Sequence, residues 1–149
     1  MSLIYDVNQT YRQGFEEEKF SKDDWYNLLS ISHRYECQGA RNRSIKEINK
    51  LGSSVTNVDK IAMAKRFEVE DWLVPACVAL VEREGLLTLA EAYTLGLEMT
   101  VLVSNAREKY TQVQRQLGGH THTPWRPTSS HVQPTSTSTQ LVKDILRIK

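Results

Sequence analysis

The sequence predicts an all-α protein, a bundle or array of about five or six short helices packed antiparallel, followed by a disordered C-terminal tail. Through most of residues 21–117, apolar residues recur at spacings of three and four, which is typical of helices with one buried face. Capping residues and glycines separate these stretches. The chain has 149 residues, 40% of them hydrophobic, which is enough for one globular domain. No alternating pattern indicates paired strands.

The charge balance excludes binding that depends on general electrostatic attraction alone. The net charge is +1, which gives little general attraction to nucleic acid or to an anionic membrane. The first twenty residues contain no basic segment followed by an apolar one, so they do not resemble a secretory signal. We therefore expect an intracellular protein, cytoplasmic or nuclear, in which Cys37 and Cys77 are reduced thiols.

The first two helices are predicted on either side of Gly39. Ser21 is followed three residues later by Asp24, a pattern that resembles a capping box. The helix that begins there presents Trp25, Leu28 and Leu29, and we expect Gly39 to interrupt it. A second helix is predicted for residues 40–51, whose apolar residues are Ile45, Ile48 and Leu51.

The third and fourth helices carry the most apolar part of the chain. Thr56 or Asn57 can cap a helix that ends near residues 67–69. Residues 71–84 then read DWLVPACVALVERE, and a helix that is apolar almost all round is a buried one. The apolar run covers residues 73–81, whereas a membrane-spanning helix needs about 20 residues. Pro75 is tolerated if it lies in or near the first turn.

The last predicted helices follow a full capping box formed by Thr88 and Glu91. A short helix stops at Gly96, and a long one runs from residue 97 to about 117. The predicted core of the whole helical region consists of Ile61, Trp72, Leu73, Ala76, Leu80, Leu89, Leu102 and Ala106.

Residues 118–149 are predicted to form a Thr/Ser/Pro-rich tail. The stretch 119–140 contains too few aliphatic residues to offset the cost of ordering it, so we expect it to be disordered. At the end of the tail, Leu141, Ile145 and Ile148 share one face of a short amphipathic segment. That segment is too short to be a stable helix in water by itself.

The sequence offers no catalytic, cofactor or metal site. Cys77 lies inside the most apolar helix, which favours a buried, unreactive thiol. His120, His122 and His131 fall in the predicted tail, where ligands are not held in a fixed geometry. No pair of acids lies in an evident apolar pocket. We therefore expect that the protein is not an enzyme.

A basic window leaves one alternative function open. Arg41, Arg43, Lys46 and Lys50 lie within ten residues. A solvated helix face is the simpler interpretation, and a small helical nucleic-acid-binding module is the alternative.

Residues 3–109 resemble a known family. Residues 58–69 are similar to a valine- and lysine-containing helix and turn of fungal BTB/POZ-domain proteins. Residues 72–96 resemble the family's next motif, which begins with Trp72-Leu73 and ends with Leu95-Gly96, and Ala106-Arg107-Glu108 resemble its closing helix. Residues 24–32 are similar to an upstream helix of the same region, and residues 3–5 to the end of the last BTB strand region. Cys77 stands where the family commonly has an aromatic residue, and Gly85 replaces an acid.

The resemblance implies a domain organisation and a function. Residues 1–20 are expected to be a remnant of the end of a BTB core, with most of that core missing. Residues 21–117 would be the helical, BACK-like C-terminal domain. The family implies a protein–protein interaction module, a possible adaptor or transcription-associated scaffold whose partners include ubiquitin-ligase components or a second copy. A truncated fragment without function is a further alternative.

The expected interaction surface has two parts. A chain without the BTB core would leave the face of Trp25, Leu28 and Leu29 bare. The apolar face of Leu141, Ile145 and Ile148 would then either fold back onto it or leave it free for self-association.

Overall fold

The computed structural model describes residues 20–118 and 134–147. Every regular element in these two ranges is a helix, and they contain six α-helices. The predicted all-α fold is therefore confirmed. The chain forms two compact units, Met1–Gly52 and Ser53–Lys149, so the region that the sequence presents as one domain, 21–117, divides near residue 52. The predicted BTB remnant is residues 1–20, and all of it except Phe20 lies outside the described ranges.

The first unit contains a pair of helices, α1 (Lys22–Arg34) and α2 (Gln38–Lys50), packed against each other. The predicted start of α1 is confirmed. The Asp24 backbone N–H donates to Ser21 Oγ (3.2 Å), and the Ser21 N–H donates to Asp24 Oδ2 (2.8 Å). Two backbone N–H groups that have no partner within the helix are thereby satisfied. Among residues 20–52, the described part of this unit, the buried side chains are Trp25, Leu29, Ser32, Ser44 and Ile48.

Helix α1 ends earlier than the sequence predicts. Glu36 adopts a left-handed conformation with φ 54°, and its N–H donates to the carbonyl of His33 (3.3 Å) while that of Cys37 donates to Ser32 (2.9 Å). This pair of bonds is a Schellman motif. The expectation that Gly39 interrupts the helix is wrong, because Gly39 is already the second residue of α2.

A 3₁₀ turn (Gly52–Ser54) follows α2 in the chain, and the second unit begins within it, at Ser53. Thr56 caps the next helix, as predicted, with its Oγ1 accepting from the Asp59 N–H (3.0 Å). The helices of this unit are α3 (Asn57–Phe67), α4 (Glu70–Glu82), α5 (Leu89–Gly118) and α6 (Pro134–Leu146).

Helix α4 is the packing centre of the second unit, since α3, α5 and α6 all contact it. Most of its apolar residues pack against the core that these neighbours form, which explains why the helix is so rich in apolar residues. The position of Pro75 differs from the expected one. It is the sixth residue of α4, beyond the first turn, and it lies on an exposed side. There the carbonyl that loses its helical donor can be hydrated.

Helix α5 is broken at Gly96, as the sequence predicts. Gly96 has φ 77° and ψ 162°, a conformation that costs a side-chain-bearing residue considerably more than glycine. Thr100 Oγ1 spans the break by donating to the carbonyls of Gly96 (2.8 Å) and Ala92 (3.2 Å). Because the helix is broken at Gly96, residues 89–95 and residues 97–118 can each turn their own apolar face towards the core.

Helix α6 corrects the prediction for the tail. It begins at Pro134, inside the stretch 119–140 that was expected to be disordered, while residues 119–133 and Ile148 lie outside the described ranges. The helix packs on α4 and α5. This packing supplies the stabilisation that the local Thr/Ser-rich sequence lacks.

The predicted core is largely confirmed. Ile61, Trp72, Ala76, Leu80 and Ala106 are buried, and Leu73 and Leu102 are half-buried against the core. Leu89 is a correction, because 73% of it is exposed. The buried position in residues 89–95 belongs instead to Leu95.

We expect the replacement Glu36→Gly to stabilise the protein by about 1 kcal/mol, because glycine avoids the steric cost of the left-handed conformation. Urea unfolding followed by circular dichroism measures the difference. Glu36→Ala is the matched control and should not share the gain, since alanine retains that steric cost. A glycine variant no more stable than the alanine variant contradicts the assignment of the cap.

We expect Cys77 to react with an alkylating reagent far more slowly than Cys37. Cys77 is buried, and burial raises the pKa of its thiol to about 12, so almost no thiolate is present at neutral pH. Cys37 is exposed. Mass spectrometry of the native protein, with Cys37→Ser and Cys77→Ser as controls, gives the two rates. Equal rates would be incompatible with the observed packing of α4.

Candidate interaction surface

The residues expected to form a bare face on α1 are not exposed. Trp25 and Leu29 are buried, with 8% and 0% exposed, and Leu28 is half-buried. The ring of Phe20 lies against Trp25, with centroids 4.8 Å apart. Because α1 packs against α2, its apolar face contributes to the interior of the first unit.

The second part of the expected surface is also covered. Leu141 and Ile145 of α6 pack against the core of the second unit, together with the buried Val142. The structure thus places the apolar face of α6 on α4 and α5. Ile148 is outside the described ranges.

A different set of apolar side chains is exposed, and we call it the apolar ridge: Leu86, Leu89, Tyr93, Leu97 and Val101. The first four are 81%, 73%, 79% and 83% exposed, and Val101 is 47% exposed. Single exposed hydrophobics are ordinary on protein surfaces, but five within sixteen residues are not. The ridge is therefore the strongest candidate functional surface among the described residues.

The register of α5 explains why these residues point outward. Successive residues of a helix are rotated by about 100°, so Leu89 and Tyr93 share one side and Leu95 lies roughly opposite Tyr93. Beyond Gly96, Leu97 and Val101 likewise share a side, and the buried Met99 lies on the other. Burial of Leu95 and Met99 leaves the ridge in solvent. The sequence alone does not reveal the ridge, because residues 89–95 carry apolar side chains on two faces and their spacing does not say which face is buried.

A shallow groove lies beside the ridge. It has a volume of about 630 Å³, and its apolar lining comes from the segment before and at the start of α5, whereas polar side chains of the later part of α5 line the rest. Its lining includes Leu86, Leu89, Ala92, Thr100, Ser104 and Arg107. An apolar surface with a polar rim is the usual anatomy of a protein–protein interface.

Arg107 fixes the turn that carries Leu86. Its guanidinium donates to the backbone carbonyls of Gly85 (2.6 Å), Arg83 (2.9 Å) and Leu80 (3.2 Å). These carbonyls lie at the end of α4 and in the turn after it, where helical donors are lacking. The turn between α4 and α5 is thereby attached to the middle of α5, and Leu87 of the same turn packs against the core. Leu86 is therefore held in place although its own side chain is exposed.

A second arginine ties the start of α5 to the same turn. Arg83 forms a two-pronged ion pair with Glu91, with Nη1–Oε1 at 2.7 Å and Nη2–Oε2 at 3.0 Å. Glu91 Oε2 also accepts from the Thr88 N–H (2.8 Å), while the Glu91 N–H donates to Thr88 Oγ1 (3.2 Å). The predicted capping box is confirmed. The hydrogen bonds from Arg83, and then the one from the Thr88 N–H, lower the pKa of Glu91 to about 2.

The basic residues of α2 form a mixed surface. Arg43, Lys46 and Lys50 are exposed, but Glu47 lies among them and accepts a hydrogen bond from Lys50 Nζ (2.8 Å). This carboxylate reduces the positive potential on which phosphate binding depends.

No constellation typical of catalysis is found in the described ranges. Within residues 20–118 and 134–147, no group of three or more His, Cys, Asp or Glu side chains could hold a metal ion. His120, His122 and His131 lie outside those ranges. The raised pKa of Cys77 makes that thiol a poor nucleophile.

The comparisons with known proteins identify no relative: no protein-family model, curated protein or solved structure matches the chain. Among the described helices, none is both long and apolar enough to cross a membrane.

We expect Glu91→Gln to destabilise the protein by about 1 kcal/mol at pH 7, because glutamine can still cap the helix but does not pair with Arg83 as an anion. This loss lies near the upper end of what exposed ion pairs contribute. The folded pKa of about 2 lies below the ordinary value of 4.5. The stabilisation from Glu91 is therefore fully present above pH 4.5 and is lost as the pH falls towards 2.

The measurement is urea unfolding at several pH values between 7 and 2. The difference between parent and Glu91→Gln should shrink steadily over the acid range. Glu108→Gln, which alters an exposed carboxylate on the same helix, is the control and should show a smaller effect. A pH-independent difference between parent and Glu91→Gln would exclude the ion pair as its source.

Proposed function

We propose that this chain is a protein–protein interaction module that binds a partner through the apolar ridge. The observation that carries the proposal is the exposure of Leu86, Leu89, Tyr93 and Leu97, each more than 70% exposed. Covering large aliphatic and aromatic side chains with a partner removes apolar surface from water and therefore favours association. Aromatic residues such as Tyr93 are also enriched at binding hot spots.

The support around the ridge favours binding with little rearrangement. Arg107 and the Arg83–Glu91 pair attach the turn at residues 83–88 to α5. A surface that is ordered before binding loses less conformational entropy on association. The groove beside the ridge adds polar groups that can form the rim of an interface.

The resemblance to the C-terminal helical region of fungal BTB/POZ-domain proteins agrees with this proposal. Under it, the module serves as an adaptor or a transcription-associated scaffold. The ridge lies within residues 72–96 and just after them, the part of the chain on which the resemblance mainly depends.

The test is site-specific photo-crosslinking. A benzophenone amino acid replaces Tyr93 in the full chain, and in a matched control it replaces Gln114, an exposed residue of the same helix. After irradiation in the cells that produce the protein, we expect one covalent adduct of defined mass from position 93 and none of that mass from position 114. Mass spectrometry of the adduct identifies either another protein or a second copy.

Specificity is tested by adding Leu89→Lys and Leu97→Lys to the position-93 variant. Both side chains are exposed, so the replacements should leave thermal stability nearly unchanged and remove the adduct. An absent adduct at position 93, or the same adducts at both positions, contradicts the proposal.

A further inference from the structure

The groove beside the apolar ridge lies between two stretches of the chain that are bonded to each other. Arg107 Nη1 donates to the carbonyl of Gly85 (2.6 Å), and Thr100 Oγ1 donates to the carbonyl of Ala92 (3.2 Å). Residues 85–92 are thereby held against the later part of α5, and side chains of both stretches line the groove. Its volume of about 630 Å³ is within the usual range of ligand pockets, so side chains of another molecule can enter it.

Exposed apolar side chains project next to the groove. Tyr93 and Val101 each follow a lining residue in the sequence but do not line the groove themselves, and Leu97 lies directly after the break in α5. Tyr93 and Leu97 are 79% and 83% exposed. The surface thus combines projecting side chains with a hollow. This is the self-complementary shape that a two-fold contact requires, because each of two identical chains then inserts into the other.

The apolar area of the ridge is close to what a dimer buries. Five of the eight large apolar side chains that are exposed within the described ranges belong to the ridge. At about 100 Å² for each aliphatic side chain and about 150–200 Å² for tyrosine, the ridge offers roughly 500–600 Å². The lining of the groove adds to this area, and a stable interface buries about 800 Å² on each partner. A partner must bring a surface of comparable area, and a second copy always does.

The charges of the ridge permit contact between two copies. The only charged residues in the stretch 86–101 are Glu91 and Glu98. Each is already paired within its own chain, Glu91 with Arg83 (2.7 Å) and Glu98 with Lys65 (2.6 Å). Two such surfaces meet without a large like-charge penalty, whereas a strongly acidic or basic partner gains little attraction from them.

One donor and one acceptor of this surface remain for a partner. The side chains of Tyr93 and Glu108 form no hydrogen bond or ion pair with any described residue, and Glu108 lines the groove. A tyrosine hydroxyl and a carboxylate both need a hydrogen-bond partner once a contact buries them. If Tyr93 of one copy enters the groove of the other, its hydroxyl can donate to Glu108 there, and two-fold symmetry forms this contact twice.

We propose that the partner of the apolar ridge is a second copy of this chain, bound across a two-fold axis with Tyr93 of each copy in the groove of the other. This inference rests on the function proposed for the ridge and names its partner. The contact has at most the area of a standard interface, well below that of permanent dimers. The two copies therefore exchange reversibly between monomer and dimer.

Sedimentation velocity of the purified full chain over a concentration series tests the proposal. We expect a reversible monomer–dimer equilibrium. Leu97→Lys should raise the dimer Kd about tenfold or more, because the contact would bury an ammonium group without a partner. Gln114→Lys makes the same change in charge at an exposed residue outside the ridge and should leave the Kd unchanged. Circular dichroism checks that both variants keep the fold of the parent.

The docking arrangement is tested by Tyr93→Phe and Glu108→Ala. Each removes one partner of the proposed hydrogen bond, which occurs twice in the dimer, so each should raise the Kd about fivefold or more. The double variant should be no weaker than the weaker single variant, because both changes break the same contact. Tyr35→Phe, at an exposed tyrosine of the first unit, is the matched control. Additive effects of the two changes would overturn the arrangement.

Two results would overturn the second copy as partner: a chain that stays monomeric near 1 mM, where even weak contacts form, or a dimer that Leu97→Lys does not weaken. Photo-crosslinking from position 93 separates this failure from failure of the proposed function. An adduct with another protein leaves the ridge as an interaction surface and excludes only the second copy. A monomeric chain without any adduct contradicts both proposals.

Discussion

The structure of the second unit depends on one constraint, the burial of α4. This helix is apolar on nearly every side, and α3, α5 and α6 all pack on it. Each neighbour must turn an apolar stripe towards it: Val58 and Ile61 from α3, Met99 and Val103 from α5, and Val142 from α6. Burial of these side chains supplies the main favourable free energy, so the orientations of the surrounding helices follow from α4.

That constraint also decides which residues remain outside. Helix α5 carries large apolar residues on two sides, and only one side can face α4. Leu95 and Met99 are buried, so Tyr93 and Leu97 are exposed. The arginine contacts around residues 83–91 hold the turn next to the exposed residues by hydrogen bonds to backbone carbonyls and to a carboxylate. Polar contacts thus add to the order that the packing of Leu87 against the core provides on this side of the unit.

The apolar ridge and the contact of α6 follow different physical rules. The residues of the ridge are exposed, although hydrogen bonds hold the turn beside them. The apolar face of α6 is covered by α4 and α5, and this packing offsets the weak helix propensity of its Thr/Ser-rich first half.

The sequence by itself determined several helix starts and one break, because they depend on local interactions: Ser21, Thr56 and Thr88 cap helices, and Gly96 breaks one. It also identified α4 as the buried helix, since most of its residues are apolar. Only the tertiary structure decided the division near residue 52, the exposure of Leu89 and the helical state of residues 134–146. These features depend on contacts between residues far apart in the chain. A periodic pattern that fits two helix faces does not say which face is buried. A Thr/Ser-rich segment that folds only against a groove does not reveal that groove in its own sequence.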